Sequence, residues 1–495
     1  MSRRQNNHTG VKVILVLLIL ALIAGSGFLI FQCIQLAGKT PNPRPGGTDA
    51  ASLLTPTEPE ETEAPTETTL PEPEHVVSTA TVGAMGDLLM HKPLFSSQYS
   101  SICDLGGGNY DFTTIFQYLT EYSSAVDYMV ANLETTLCST DNGYQYSGYP
   151  HFNCPDQIVD GAKNAGFDML LTVNNHSYDT GITGYKRTLE VVREKGLETL
   201  GTMLTDDEPK WTIQEVNGIN IGMVGYTYAT SVTSDGRPSL NGNPAIAEYG
   251  LCNYFLESNL DAFYSEVETY LDQMKQAGAE ATILFIHWGV EYNTFANDTQ
   301  KAMAQKLCDL GVDVIIGGHP HVIEPVALLE SNLDPGHKTV CIYSLGNAVS
   351  NQRLGNISYV STAHTEDGIL FSVTFEKYSD GTVYLAGTDA IPTWVNRHAD
   401  TGKLEYNILP LDYNRVDEWA QLYSIADNTL NSAKKSYDRT MAIVGDGLTE
   451  CQTWLAQEKA DREQYYYDLV YNPDKVVSAA ADVPIADPTE TTDAA

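Results

Sequence analysis

The feature that most constrains this chain is a series of short, unbroken apolar runs, each ending in polar residues with chemistry to offer. VDVIIGGHPHVIEP, from Val312 to Pro325, passes through two glycines straight into His319 and His321. Runs without polar alternation read as strands buried on both faces, the kind found in sheets covered by helices. STATVGAMGDLLM, DYMVANLETT, DMLLTVNNH, INIGMVGYTY, ATILFIHWGV, TVCIYSLGNAV, GILFSVTFEK and TVYLAGTDAI read the same way. Between them, YKRTLEVVREKG, FYSEVETYLDQMKQAG and TQKAMAQKLCDLG carry the apolar spacing of helices. The order β-α-β-α with a β-rich second half predicts a layered α/β domain from about Val76 to about Pro410. No internal repeat is present.

The strand ends share a chemistry. They offer Gly86-Asp87 with His91 beyond, Asn132-Leu133-Glu134, Asn174-Asn175-His176 with Asp179 beyond, His287-Trp288-Gly289 with Glu291 beyond, His319-Pro320-His321 and Ser344-Leu345-Gly346-Asn347. Five of the 11 histidines fall in these places. Sites in α/β sheets assemble at the carboxyl ends of strands. Carboxylates, amides and imidazoles converging there suit a divalent transition metal, Mn, Fe or Zn, as one or two ions. Two ions about 3.5–4 Å apart can activate a water and clamp a leaving oxygen. A buried strand ends in histidines because it is a rigid mount for ligands, and Gly317 and Gly318 would let the backbone approach an ion closely. Taken alone each element has a plainer reading: a strand-end histidine is often structural, and Asn-Asn-His before a helix is also a helix-capping pattern.

The flanks differ in kind. Arg3, Arg4 and Lys12 precede Val13 to Gly38, which carries no charge and is long enough to span a bilayer as a helix of about 20 apolar residues. The basic flank predicts a single-pass anchor with the N-terminus in the cytoplasm and the main domain outside the cell; a cleaved signal peptide is the other reading. Residues 39–75 are rich in Pro, Thr and Glu and read as a disordered stalk, with 478–495 as a similar tail. Residues 411–477 read as a helical appendage, in two segments. The formal charge is −36, much of it in these flanks, and an acidic chain is a poor nucleic-acid binder. The eight cysteines form no C-x-x-C pair and read as small buried hydrophobes, with one disulfide open among Cys103, Cys138 and Cys154.

GDLLMH, NLETTL, LTVNNHSYDTG, ILFIHWGVEYN, IIGGHPHVIEP and IYSLGN resemble, in order and spacing, the motif series of the CapA capsule-synthesis family associated with poly-γ-glutamate production. The resemblance runs from about Ala80 to about Asn351, with related sequence to about Thr393. It implies likeness to calcineurin-like metallophosphoesterases, hence a two-sheet sandwich flanked by helices. Carried over by motif, Asp87, Glu134, Asn175, His287, His319 and His321 would hold metal, Glu134 as the bridging carboxylate. His176 would steady or protonate the leaving group, and Asp179 would orient it. The chain departs from the phosphoesterase pattern at Leu89, which stands where a histidine is usual and leaves His91 as a possible substitute, and at Asn132-Leu133-Glu134, which replaces a Gly-Asp-x-x-Asp motif.

Two classes of function follow. One is an extracytoplasmic metal-dependent hydrolase of a phosphoester or a cell-envelope polymer. The other is a non-catalytic component of polymer production or export, holding an anionic polymer beside a membrane synthase. The tyrosine-rich loop DNGYQYSGYPHFN, Asp141 to Asn153, reads as a lid, a polymer platform or a plain exposed loop.

Overall fold

The structure, a computed structural model, describes residues 71–476 except 235–236, 244–248 and 359. The segment expected to anchor the chain, nearly all of the stalk and the C-terminal tail lie outside the described residues. Among the described residues, no helix is long and apolar enough to cross a membrane.

Two mixed sheets form the centre. The first runs, in spatial order, Glu405–Pro410, Val383–His398, Asp367–Tyr378, Val76–Leu88, Tyr128–Asn132, Met169–Leu171 and Glu198–Leu200, with Asn347–Val349 also pairing Val76–Leu88. The second runs Tyr254–Phe255, Ile219–Tyr228, Ala281–His287, Val314–Gly318, Lys338–Leu345 and Ile323–Glu330, with Trp211–Val216 against Ile219–Tyr228. In each sheet the strands that end at the candidate site are parallel to one another, and antiparallel strands extend the edges.

The sheets pack face to face. Val82, Ala84, Val130 and Phe371 of the first share one core with Ile221, Ile283, Phe285, Ile316 and Ile342 of the second. The outer face of the first sheet is covered by the helices Gln157–Asn164 and Gly181–Glu194, through Ile158, Val159 and Val192. The outer face of the second is covered by Leu260–Gln276 and Asp298–Asp309, through Phe263, Val267, Met303 and Leu307. Apolar strands sandwiched this way need no polar alternation, which is why their runs are continuous. The start of Asp298–Asp309 is fixed by a capping box: Asn297 accepts from Gln300 N, and the Gln300 side chain accepts from Asn297 N.

Five strands of the two sheets escape the apolar-run reading, the short Glu198–Leu200 and Tyr254–Phe255 among them. Trp211–Val216 and Glu405–Pro410 mix polar and apolar residues. Ile323–Glu330 contains Pro325, which reads as a breaker, but this strand is the edge of its sheet, where proline is tolerated. The C-terminal region is helical, as expected, but its main part is continuous rather than in two segments. After a short helix, Trp419–Leu422, it is one helix of 45 residues, Asp427–Tyr471, packed into the core. Its buried positions Ala433, Ser436, Thr440, Val444, Leu448, Cys451 and Leu455 recur every three or four residues, a single stripe. Val444, Leu448, Cys451 and Leu455 join the core shared by the two sheets. The apparent break at Gly445-Asp446-Gly447 is a close contact: a Cβ on Gly447 would lie 1.9 Å from the Val326 carbonyl oxygen. Cys103, Cys138 and Cys154 are free, buried thiols, as are Cys252, Cys308, Cys341 and Cys451.

Candidate metal centre

Parallel pairing sets the site's floor. Asp87 is in register with Asn132 on one side and Asn347 on the other, and His287 is in register with Gly318. Each parallel strand therefore delivers its polar end to the same edge. Asp87, Glu134, His287, His319 and His321 all arrive there with their side chains buried.

Their donor atoms form two groups that share one residue. Single atoms of Glu134, His287 and His319 lie within 4.8 Å of one another, and so do single atoms of Asp87, Glu134 and His321. Glu134 Oε1 is the hub: His287 Nε2 is 3.6 Å away, His176 Nε2 3.9 Å and His321 Nε2 4.0 Å. These separations are too long for hydrogen bonds, and Glu134 Oε1 has no hydrogen-bond partner although it is buried. His319 Nδ1 is likewise buried without a partner. Asn175 joins through His287, whose Nε2 donates to Asn175 Oδ1 at 2.9 Å. Asn175 is thus no helix cap; the next helix begins only at Gly181.

Amides hold the carboxylates in place. Asn132 Nδ2 donates to Asp87 Oδ1 at 2.8 Å and to Glu134 Oε2 at 3.3 Å. Asn174 Nδ2 donates to Asn132 Oδ1 at 3.0 Å and to the Leu133 carbonyl at 2.9 Å. Asn347 Nδ2 donates to the His321 carbonyl at 3.1 Å. The two histidines of the His-x-His pair sit at positive φ, +100° for His319 and +58° for His321. Such backbone costs about 1–3 kcal/mol per residue and persists where surrounding structure over-determines it. Gly317 is required because a Cβ there would lie 1.9 Å from the Tyr343 carbonyl oxygen. A Cβ on Gly318 would reach within 3.4 Å of Asp87 Oδ1.

The electrostatics follow from this crowding. Burial pushes His319 well below the ordinary imidazole range, and the imidazoles of His287, His321 and His176 push it the same way. His319 is a neutral donor. Burial also opposes charge on His321, but the carboxylates of Glu134 and Asp87 overcome it and hold His321 up at about 9. Burial would raise Asp87; the hydrogen bond from His321 Nδ1, at 3.1 Å, together with the nearby imidazoles holds it below the usual carboxylate range.

His176 and Asp179 stand beside the hub. His176 Nδ1 donates to Asp179 Oδ2 at 2.7 Å, which leaves Nε2 facing Glu134. Three further contacts hold this pair, all from loops that carry no strand-end signal. The Phe152 amide donates to Asp179 Oδ2 at 2.5 Å, and Asn241 Nδ2 donates to Asp179 Oδ1 at 2.8 Å. The Phe152 ring meets His176 edge-on with centroids 4.7 Å apart. Tyr228 packs its ring 4.7 Å from that of His319. His91 does not join either donor group. Its Nδ1 donates to the Leu89 carbonyl at 3.2 Å, and its ring meets Phe152 edge-on at 5.0 Å. Burial, with His321 and His176 nearby, pushes it down to about 3 despite that hydrogen bond. Leu89 is buried in the core and offers no donor.

The profile of the bacterial capsule synthesis protein PGA_cap family matches residues 81–352, which contain every one of these residues. The chain belongs to this family. It is similar to the PGA biosynthesis protein CapA of Bacillus subtilis (strain 168), with 30% identity over 243 residues, 48% of this chain and 57% of that protein. It is similar to the capsule biosynthesis protein CapA of Bacillus anthracis, with 27% identity over 279 residues, 55% of this chain and 60% of that one. The PGA_cap chain thus spans less than two thirds of the length of these CapA relatives. A shorter likeness, 29% identity over 194 residues, links 36% of the chain to 28% of a 5'-nucleotidase of Diplobatis ommata.

Proposed function

We propose that this PGA_cap chain is a metal-dependent hydrolase of capsule or poly-γ-glutamate production, acting on a phosphoester or an ester or amide of a cell-envelope polymer. The observation that carries the reading is Glu134 Oε1, buried and without a hydrogen bond, with three imidazole nitrogens 3.6–4.0 Å around it. A buried carboxylate oxygen without a hydrogen bond is costly unless cations meet it; without metal the protonated His321 meets part of that cost, with a proton it would give up on binding an ion. Imidazole, carboxylate and amide oxygen are the donor set of Mn, Fe or Zn. Asp87, Glu134 and His321 would hold one ion, and Glu134, Asn175, His287 and His319 a second. Bound there, divalent ions supply Lewis-acid polarisation and lower the pKa of a water.

The chain's own residues divide the remaining work. Asp179 fixes the His176 ring through Nδ1, so His176 Nε2 is the atom that gives a proton to a leaving group. Asn241 and the Phe152 amide keep Asp179 oriented, and the Phe152 ring screens His176 from water on one face. The likeness to a 5'-nucleotidase supports a phosphoester; the CapA relatives support a capsule polymer. Anchoring through residues 13–38 and work outside the cell belong to the same proposal.

The test is metal content by mass spectrometry after loading with Mn, Zn or Fe. The parent is expected to hold near-stoichiometric metal, and His319→Ala with His321→Ala to lose it. A His176→Asn variant is expected to keep its metal and lose turnover of a phosphodiester. A parent that stays empty under loading would sink the hydrolase reading.

A further inference from the structure

The tyrosine-rich loop Asp141–Asn153 supplies Phe152 to the His176–Asp179 pair, and its tyrosines lie outside the metal-binding groups. A Cβ on Gly148 would lie 2.7 Å from the Lys92 amide nitrogen, so the loop runs hard against the His91 segment. The next residue, Tyr149, is 75% exposed and walls a cavity of about 350 Å³. His91, Tyr292, Asn351, Gln352 and Asn356 complete most of its lining, and among the described residues no Lys, Arg, Asp or Glu lines it. This is a neutral surface on a chain of formal charge −36.

The cavity lies one ring away from both halves of the centre. Phe152 bridges His91 to His176, with centroids 5.0 and 4.7 Å apart. The Tyr292 ring is 6.1 Å from that of His321. Its back wall is fixed before any ligand arrives: Asn347 Nδ2 donates to Gln352 Oε1 at 3.0 Å, and Gln352 Nε2 donates to the Tyr292 hydroxyl at 3.1 Å. The volume lies at the lower end of the range of small-ligand pockets.

We propose that this cavity is a subsite for the unit adjoining the bond to be cleaved, and that this unit is an uncharged, hydroxyl-bearing ring such as a sugar residue. The proposal rests on the metal-centre reading above, since the anionic part of the substrate is left to the metal. Three features favour a ring of this kind. The exposed Tyr149 phenol offers an apolar face to carbon–hydrogen edges and a hydroxyl at its tip. With Gln352 held in the wall and Asn356 Nδ2 donating to Asn351, the Asn351 Nδ2 donor and the Asn356 Oδ1 acceptor face a ligand as the pair that ring hydroxyls require. A free carboxylate entering the cavity would lose water and meet no cation, which disfavours a glutamyl side chain.

The experiment uses the Mn-loaded full chain and four probes in calorimetry: inorganic phosphate, glycerol 3-phosphate, glucose 1-phosphate and γ-glutamylglutamate. Glucose 1-phosphate is expected to bind at least tenfold more tightly than glycerol 3-phosphate. The exposed-residue variant Tyr149→Ala with Asn356→Ala should shrink that gap to within twofold and leave inorganic phosphate unchanged. Equal binding of the two phosphoesters, with phosphate binding intact, overturns the subsite and leaves the metal reading standing. So does tighter, Tyr149-dependent binding of γ-glutamylglutamate. Should the chain take no metal, methyl glucoside in saturation-transfer NMR decides the subsite alone: transfer lost in Tyr149→Ala supports it, and no transfer in the parent overturns it.

Discussion

Glu324 sits three residues past His321 and is fully buried, with Oε2 accepting from Gln300 Nε2 at 2.6 Å and Oε1 without a partner. Burial pushes this carboxyl up to about 7, against the pull of the Gln300 hydrogen bond. A carboxyl raised in the folded state binds its proton there while the unfolded chain has released it. Its contribution is therefore most favourable below the unfolded value of about 4.3 and declines as pH rises from there through about 7. Glu324→Gln should abolish that decline. Chemical denaturation is expected to show a gain on the order of 3 kcal/mol at pH 8 and little at pH 4; equal pH profiles for parent and variant would refute it. At this scale the sequence was most legible where side chains end strands. Parallel register places Asp87 and His287 at one edge of the sandwich, and Glu134, Asn175, His176, His319 and His321 reach it from the turns that follow their strands. His91 shared the pattern but turns to the Leu89 carbonyl. Asn241 and Phe152 reach the site from loops whose approach depends on tertiary folding, and no local spacing announces them; Tyr228 closes the strand Ile219–Tyr228 but offers none of the carboxylate, amide or imidazole chemistry that marked the other strand ends.

Among elements, the helix Asp427–Tyr471 shows how one glycine can mislead and another cannot be spared. A glycine pair normally signals a turn, since Gly costs about 1 kcal/mol in a helix interior. Gly447 stays because the Val326 carbonyl oxygen occupies its side-chain space, while a Cβ on Gly445 would meet only Met441 Cε at 3.7 Å. The two positions should respond with opposite signs. Gly445→Ala is expected to stabilise by about 0.5–1 kcal/mol, and Gly447→Ala to destabilise by about 1–3 kcal/mol or more, both read by thermal unfolding. A second device pins the same helix: Arg439 Nε and Nη2 bind Asp367 at 2.8 and 2.6 Å, with Ser436 Oγ on the same carboxylate at 2.6 Å. Burial raises Asp367 to about 6 even against Arg439. Arg439→Ala leaves that carboxylate buried and unpaired by a cation, and a loss of about 3–5 kcal/mol is expected near neutral pH. Long, apolar central strands were readable from sequence because both their faces are covered; Trp211–Val216, Ile323–Glu330 and Glu405–Pro410 were not, because their runs carry polar residues or a proline that an edge tolerates, and the C-terminal region was readable as helical but not as one helix, because its two glycines imitate a turn.

For the whole molecule, the helix decides whether the sandwich closes. A chain ending at Leu411 would expose the core residues that Val444, Leu448, Cys451 and Leu455 cover, beside Val326 and Val340. It is expected to lose cooperative thermal unfolding and to bind a hydrophobic dye; a sharp transition matching the parent would show that the helix is dispensable. The central strand has a mechanical consequence of its own. Val76–Leu88 is hydrogen-bonded from Val76 to Met85 along Asp367–Tyr378 on one side and to Tyr128–Asn132 on the other. It spans about 40 Å at about 3.3 Å per residue, with Asp87 at its far end. A pull on the chain ahead of Val76 loads these bonds side by side, in shear, because they lie across the direction of force. They must yield nearly together. Tension from the N-terminal side would therefore leave Asp87 in place until the whole ladder slips, and the metal-binding end of the strand would be the last part of it to register the load.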